Sequence, residues 1–333
     1  MTPIVISMKM KQFKKIANRC IIFCKENGLS DPIDIVRYLQ SMIVKGRKLD
    51  IDDEASVLQG ETNYIMVDRA NLIETAFPEI VSIEDLRLTL EVQFYEESAV
   101  DMGGPRKEFF NLILKEIRDK YFSPVREFAS DYEVIGKIMA LSLLQNGTLP
   151  RLFSPEIIEE VFKTEDHIST TCRPFVKDLR KGLDGLGIYT IIKQLPVLIH
   201  LFTANSAVNL TFRLLTNLLK PMFSLEGSNR RREETRVYSK FLKYLREAGS
   251  GRRPSDLRSV PRFTTSAEEE PCLGFALQPS ISFVESSSFL PTANTCINRL
   301  NLNIPSEGNE LPPDDILFNL FDFAFCNNFY GLQ

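Results

Sequence analysis

Histidine is almost missing from this chain: its 333 residues hold two, His167 and His200. A metal centre built on several imidazoles is excluded, and any histidine base would have to be one of these two. An excess of cations is missing as well. Forty Lys and Arg against 44 Asp and Glu leave a net charge of −4. That balance argues against a nucleic-acid partner, because phosphate affinity comes mainly from clustered cations. Paired CxxC spacing is absent from the six cysteines, Cys20, Cys24, Cys172, Cys272, Cys296 and Cys326. A chain of this size needs no disulfide staples, so free thiols in a reducing compartment, cytoplasmic or nuclear, are expected. Long apolar runs are missing too. The segment Leu195 to Phe202 contains His200 and is far shorter than the about 20 residues of a membrane span. The start, MTPIVISMKMKQFKK, has no continuous apolar stretch of the kind a secretory leader carries. No membrane partner is expected.

Hydrophobic residues make up 44% and charged residues 25%, enough apolar content to bury a real core. At roughly 150 residues per domain, about two domains are expected. Residues 8–27 predict a helix, with Phe13, Ile16, Ala17, Cys20 and Cys24 on one face and Asn27-Gly28 at its end. Ser30-Asp31-Pro32 starts a second helix to about residue 45. Tyr64 to Val67 is a strand candidate. Leu86 to Tyr95 alternates strictly, with Leu86, Leu88, Leu90, Val92 and Phe94 on one face, the clearest strand signal in the chain. The turn Asp101 to Gly104 leads into a helix opened by Pro105. Helices are read at 131–145, at 155–164, over much of 174–225 with breaks near Pro196 and Pro221, and at 233–247. Glu226 to Asn229 is a candidate joint. Short strands follow at Ser280 to Val284 and Cys296 to Leu302, then a helix at about 313–324. The fold class is α+β, helices first and a smaller α/β part last.

A reactive thiol needs access and thiolate character. Cys296 stands between strand-like runs just after Pro291, where a cysteine is more often exposed than on an apolar helix face. Cys20 and Cys24 fall four apart on an apolar face and read as core, since two ligands do not make a structural zinc site. Cys172, Cys272 and Cys326 have no companion ligands nearby in sequence. A thiol with no strong base suits exchange between thioesters, where the leaving group is itself a thiolate. The turn DMGGP lacks the GxxxxGK[ST] spacing of a phosphate loop and reads as a tight turn into a helix. Arg230-Arg231-Arg232 runs straight into Glu233-Glu234 and reads as a solvated helix start.

Two segments together carry a family resemblance. FYEESAVDMGGPRKEFF (94–110), with Asp101, Gly103, Gly104, Lys107 and Glu108, resembles the N-lobe signature of HECT ubiquitin ligases. FLPTANTCINRLNL (289–302) is similar to the C-lobe signature around that family's cysteine, matched at Leu290, Pro291, Thr295, Cys296, Asn298 and Leu300. DYEVIGKIMALSLLQNG (131–147) looks like the intervening N-lobe helix, and Arg262-Phe263 with Gly274-Phe275 like the opening of the C-lobe core. The likeness runs from about residue 60 onward and is nearest the divergent G2/M-phase-specific type. It implies a bilobal HECT domain: a helical extension over 1–55, an N-lobe over 56–226, and a C-lobe over 227–333, swinging on a hinge at Glu226 to Asn229. It also implies that Cys296 takes ubiquitin as a thioester from a ubiquitin-conjugating enzyme and passes it to the lysine of a protein substrate. Thr295 could support the developing oxyanion. No metal or organic cofactor is implied.

The chain departs from the family pattern at several positions. Lys107 replaces the usual Arg, Asn294 stands where many members have His, and Thr264 and Ser266 replace an apolar residue and Gly. Tyr330, beside Phe329, takes the place of a phenylalanine four from the end, and Gln333 brings no acidic side chain. Residues 165–225, where members build the conjugating-enzyme site with strands, read as helical; an apolar groove there is the expectation for that partner. These departures keep a second function open, a catalytically silent module that binds ubiquitin or a conjugating enzyme. A cysteine hydrolase would require His167 or His200 within about 3 Å of Cys296.

Overall fold

In the computed structural model, which describes residues 3–97, 101–163, 173–204 and 210–327, helices begin where local chemistry lets them. Helix α1 spans Pro3–Glu26 and α2 spans Pro32–Ile43. The Asp31 carboxylate caps α2 by accepting from the N–H groups of Ile33 and Asp34, and Pro32 fills a first-turn site that needs no donor. Ala17, Cys20, Ile21 and Cys24 of α1 and Ile35, Val36, Leu39 and Ile43 of α2 are buried in one core. Phe23 and Tyr38 stack between these helices with centroids 4.0 Å apart.

Strand β1 (Thr62–Val67), helix α3 (Leu72–Ser82) and strand β2 (Thr89–Phe94) form a β-α-β unit, parallel from Thr62↔Thr89 to Val67↔Phe94. Leu90, Val92 and Phe94 all point into the core, as their alternation predicts. Helix α4 (Gly104–Tyr121) follows, with Pro105 in its first turn. Then come α5 (Tyr132–Leu144), α6 (Pro155–Ile158), a π-helical turn at Glu159–Lys163, α7 (Pro174–Asp184), α8 (Ile188–Gln194) and a 3₁₀ turn at Pro196–Leu201. One hydrophobic core runs through these elements from Ala17 to Phe202.

A second core, from Leu215 to Phe325, is built by α9 (Phe212–Leu218), β3 (Lys220–Pro221), α10 (Asn229–Gly249), α11 (Ser259–Thr265), β4 (Ser280–Ser286), β5 (Thr292–Asn294), β6 (Arg299–Pro305) and α12 (Asp314–Cys326). The sheet order is β3-β4-β6-β5, with β4 parallel and β5 antiparallel to β6. Leu300, Leu302 and Ile304 face inward from alternate positions of β6. Tyr244 of α10 packs against Phe321 of α12 at 5.2 Å, and its hydroxyl donates to Asp322 at 2.9 Å. The fold is mixed α and β, with more helix than strand.

The two cores do not divide where the sequence suggests. The extension read over 1–55 packs on the first core, through Ala17, Cys20, Ile21 and Cys24 of α1 and Ile35, Val36, Leu39 and Ile43 of α2. The boundary at 226/227 and the joint Glu226 to Asn229 fall inside the second unit. Leu215 and Leu219, which precede them, are already in the second core. Ser224 donates its N–H and hydroxyl to Glu234 at 2.7 and 2.6 Å, and the Ser228 hydroxyl caps α10. The turn is thus pinned on both sides, and the chain passes from one core to the other between Phe202 and Leu215.

Candidate functional site

Cys296 stands in the four-residue turn that joins β5 to β6. The turn is braced from within. The Cys296 N–H donates to Asn294 Oδ1 at 3.1 Å, so the residue expected to be histidine by family likeness serves as a turn acceptor. Asn298 adopts φ +53°, a left-handed conformation that Asn tolerates better than most residues. Its side chain donates to the Leu277 carbonyl at 2.8 Å, and its own carbonyl accepts from Ser280 N–H. The thiol is therefore held half-buried on a rigid turn.

What covers the turn comes from the first unit. Asp101 is buried, and its two carboxylate oxygens accept from the N–H groups of Val92 and Gly103, both at 2.8 Å. This ties the Asp101-to-Gly104 turn to β2. Gly103 takes φ +109°, which a side chain would oppose. Gly104 is needed for a different reason. A Cβ there would lie 2.7 Å from Thr295 Oγ1 and 3.3 Å from Ser266 Oγ. The start of α4 thus sits directly on the cysteine turn. Thr295 turns its hydroxyl toward this contact. Ser266 ends α11 with φ +64°, the backbone geometry that favours Gly. Thr264 is fully buried and satisfies its hydroxyl on the Val260 carbonyl at 2.9 Å.

Behind this contact lies a cluster of buried charge. Asp50 faces Lys107 Nζ at 2.8 Å and Arg106 Nη2 at 3.4 Å. Burial by itself would push the Asp50 carboxyl up; Lys107 and Arg106 outweigh it and hold the group below the usual carboxylate range. Burial raises Asp101 despite the Arg106 charge and its backbone donors. Burial likewise raises Glu108, although Arg69 pairs with it at 2.6 Å. The Cys296 thiol is also pushed up, first by burial and then by the negative charge of Asp101, with Lys107 acting in the opposite sense.

Further contacts join the two units. The Asn146 side chain accepts from Leu273 N–H at 3.1 Å and donates to the Gly274 carbonyl at 2.9 Å. Arg151 pairs with Glu269 at 3.2 Å, and Arg299 pairs with Glu54. A cavity of about 320 Å³ opens at this junction, lined by Lys107, Asn111, Lys115, Arg151, Glu269 and Cys272 among others.

The sequence sets Cys296 between strand-like runs, at the head of one read from Cys296 to Leu302, and the Asp101-to-Gly104 turn before a helix; the structure puts Thr295 and Cys296 in a turn and begins the strand at Arg299. That Gly104 comes against both Thr295 of this turn and Ser266 is not contained in the order of residues. The only signal pointing to them was the pair of family-like segments, which carries no distance. His200 is exposed on the 3₁₀ turn of the first unit, and no histidine occurs among the described hydrogen-bonding or charged neighbours of Cys296. His167, Cys172, Phe329, Tyr330 and Gln333 lie outside the described residues. Cys20 and Cys24 are buried in the first core. Among the described residues no cluster of three His, Cys, Asp or Glu is placed to hold a metal, and no helix is long and apolar enough to cross a membrane. Within 165–225 the described segments are mainly helical, as read from sequence. Their exposed large hydrophobics are Leu214, Met222 and Leu225, which lie after the passage between the cores rather than on α7 or α8.

No protein-family model matches the chain, and no curated protein matches it.

Proposed function

We propose that the chain is a HECT-type ubiquitin-protein ligase domain, an N-lobe and a C-lobe, in which Cys296 carries ubiquitin as a thioester. The observation that supports this reading best is the contact of Gly104 with Thr295: the two segments that resemble the family signatures, remote in sequence, meet beside one thiol. In the proposed reaction Cys296 Sγ attacks the thioester carbonyl of ubiquitin held on a conjugating enzyme. A new carbon–sulfur bond forms, the old one breaks, and the proton given up by Cys296 ends on the departing thiol. A substrate lysine amine then displaces Cys296. The missing histidine is no obstacle to the first step, because a thiolate leaving group needs little acid assistance. The ligase reading places the protein in the cytoplasm or nucleus.

A single-turnover charging assay tests this. The protein is mixed with ubiquitin-loaded conjugating enzymes and run on non-reducing gels with and without thiol reductant. The expected result is a reductant-sensitive ubiquitin adduct that Cys296→Ala abolishes. No adduct with any conjugating enzyme tested would discard the ligase reading. The second reading, a silent module that binds ubiquitin or a conjugating enzyme, is favoured by one observation: the thiol is half-buried and pushed toward its protonated form. Binding that survives Cys296→Ala in the absence of any adduct would select it.

A further inference from the structure

We propose that Asn146, just past the end of α5 in the first unit, is a latch for the Cys296 turn: it grips the stretch that follows α11 and, through Leu277 and Asn298, holds the thiol closed against the first unit. The inference rests on the reading of Cys296 as the nucleophile. After α11 the chain does not stay within the second unit. Cys272 and Leu273 pack on the first core before the chain enters β4 at Ser280. Asn146 fixes this excursion at two points. Its Oδ1 accepts from Leu273 N–H at 3.1 Å, and its Nδ2 donates to the Gly274 carbonyl at 2.9 Å. The residue is buried and takes φ +53°. That combination selects asparagine, which tolerates a left-handed backbone and carries an acceptor and a donor on one short planar group. Gly274 itself takes φ +79°, and its N–H donates to the Pro271 carbonyl at 2.9 Å, so the gripped segment is a tight turn.

Only Phe275 and Ala276 separate Gly274 from Leu277. The Leu277 carbonyl accepts from Asn298 Nδ2 at 2.8 Å, and the Asn298 carbonyl accepts from Ser280 N–H at 2.9 Å. Asn298 is buried, left-handed at φ +53°, and two residues from Cys296. Two asparagines thus clamp the ends of one short stretch, Asn146 from the first unit and Asn298 from the cysteine turn. Movement of residues 273–274 off the first core is passed to the turn through that stretch. The ion pairs across the junction, Arg151 with Glu269 and Arg299 with Glu54, join part-exposed groups and hold less firmly in water. While the latch is closed, the start of α4 lies on Thr295 and Cys296 stays half-buried. A thioester carried on a protein needs more room at the sulfur than this, so release of the Asn146 grip is the step that admits it.

Alkylation of the full chain by iodoacetamide at one fixed pH, read at each cysteine by peptide mass spectrometry, tests this. Asn146→Gly keeps the left-handed backbone and removes both hydrogen bonds. It is expected to speed alkylation of Cys272 and of Cys296 by about five- to thirtyfold, the factor that two hydrogen bonds of ordinary net strength represent. Cys20 and Cys24, buried in the first core, should be unmoved. Asn298→Gly is expected to speed Cys296 alone, because Asn146 still holds the segment that carries Cys272. The double variant should match the faster single variant at Cys296, since a path broken twice opens no further than a path broken once; a multiplied rate would mark independent supports and overturn the proposal. An unmoved Cys296 in Asn146→Gly would also overturn it, as would a gain shared by Cys20 and Cys24, which marks general loosening. If Asn146→Gly does not fold, Asn146→Asp decides: it keeps the acceptor for Leu273 and loses the donor to Gly274, and an unmoved Cys296 again overturns the proposal. In the charging assay Asn146→Gly should form the ubiquitin adduct faster than the parent, and slower charging would overturn the latch. The expected alkylation pattern with no ubiquitin adduct from any variant would sink the ligase reading alone. An adduct with Cys296 alkylation unmoved would sink the latch alone.

Discussion

Asp50 is the residue on which the buried charge behind Cys296 depends. It is a single carboxylate facing Lys107 and Arg106, and those cations lower its carboxyl pKa against the effect of burial. A depressed carboxyl contributes stability that is present above its unfolded value, about 3.9, and is lost as pH falls through the folded value. Asp101 and Glu108 are raised, so their contributions run the other way: their charged forms cost stability that is recovered on acidification. Asp50→Asn is therefore expected to lose stability at neutral pH, by about 3–5 kcal/mol for a broken buried pair. Between about pH 5 and about pH 3 its stability should fall less steeply than that of the parent. Urea melts across that range check this, and parallel pH slopes would contradict it. At this scale Cys296 could be singled out from its neighbours in the sequence. The charges that act on it could not, because Asp101 and Lys107 approach it only through packing.

Among the elements, helix pairing shows how far periodicity reaches. The boundaries of α2, α4, α5 and α12 fall close to those read from apolar spacing and from Pro and Gly. Helix α10 begins at Asn229, earlier than the apolar pattern suggests, because its first turn is polar and the Ser228 hydroxyl caps it by accepting from Arg231 N–H at 3.1 Å. Arg231 also lies over the Phe223 ring at 3.7 Å, so the arginine run is partly packed and not only solvated. Strand β6 begins at Arg299 and not at Cys296, because Asn298 is left-handed and cannot continue a strand. Helices α5 and α7 cross closely through Gly136 and Gly182. A Cβ on Gly136 would lie 2.5 Å from the Leu179 carbonyl oxygen and 2.7 Å from Leu183 N. Ala gains about 1 kcal/mol over Gly in helix propensity, while overpacking costs about 1–3 kcal/mol, and the neighbours here are backbone atoms that cannot step aside. Gly136→Ala is thus expected to lower the melting temperature of the first unit; an increase would show that α5 and α7 separate freely.

For the molecule as a whole, the polar contacts that join the two hydrophobic cores include the Asn146 amide and the pairs Arg151–Glu269 and Arg299–Glu54. The Asn146 amide grips the backbone at Leu273 and Gly274, and net hydrogen bonds of this kind contribute about 1 kcal/mol each. Asn146→Ala should leave both cores folded and raise amide exchange over residues 271–275, with faster alkylation of Cys296 as the junction opens. Exchange unchanged there would mean that the other contacts, Leu273 packed on the first core, Arg151 with Glu269 and Arg299 with Glu54, hold this segment without the Asn146 amide. This scale was the least legible beforehand. The residues that looked most like a joint, Glu226 to Asn229, are flanked on both sides by side chains of one core, whereas the actual passage lies upstream of α9.

By itself the sequence determined what local chemistry decides: close to where α2, α4, α5 and α12 start and stop, which face of β2 turns inward, and that no more than two histidines could serve a cysteine. The tertiary structure decided which of those local pieces act on one another. Gly104 could touch Thr295 only once two separate cores had packed, and the opposing influences of Asp101 and Lys107 on the Cys296 thiol are a property of that packing. Charge acts through space over a few ångströms, and distance through space is the quantity that linear order does not carry.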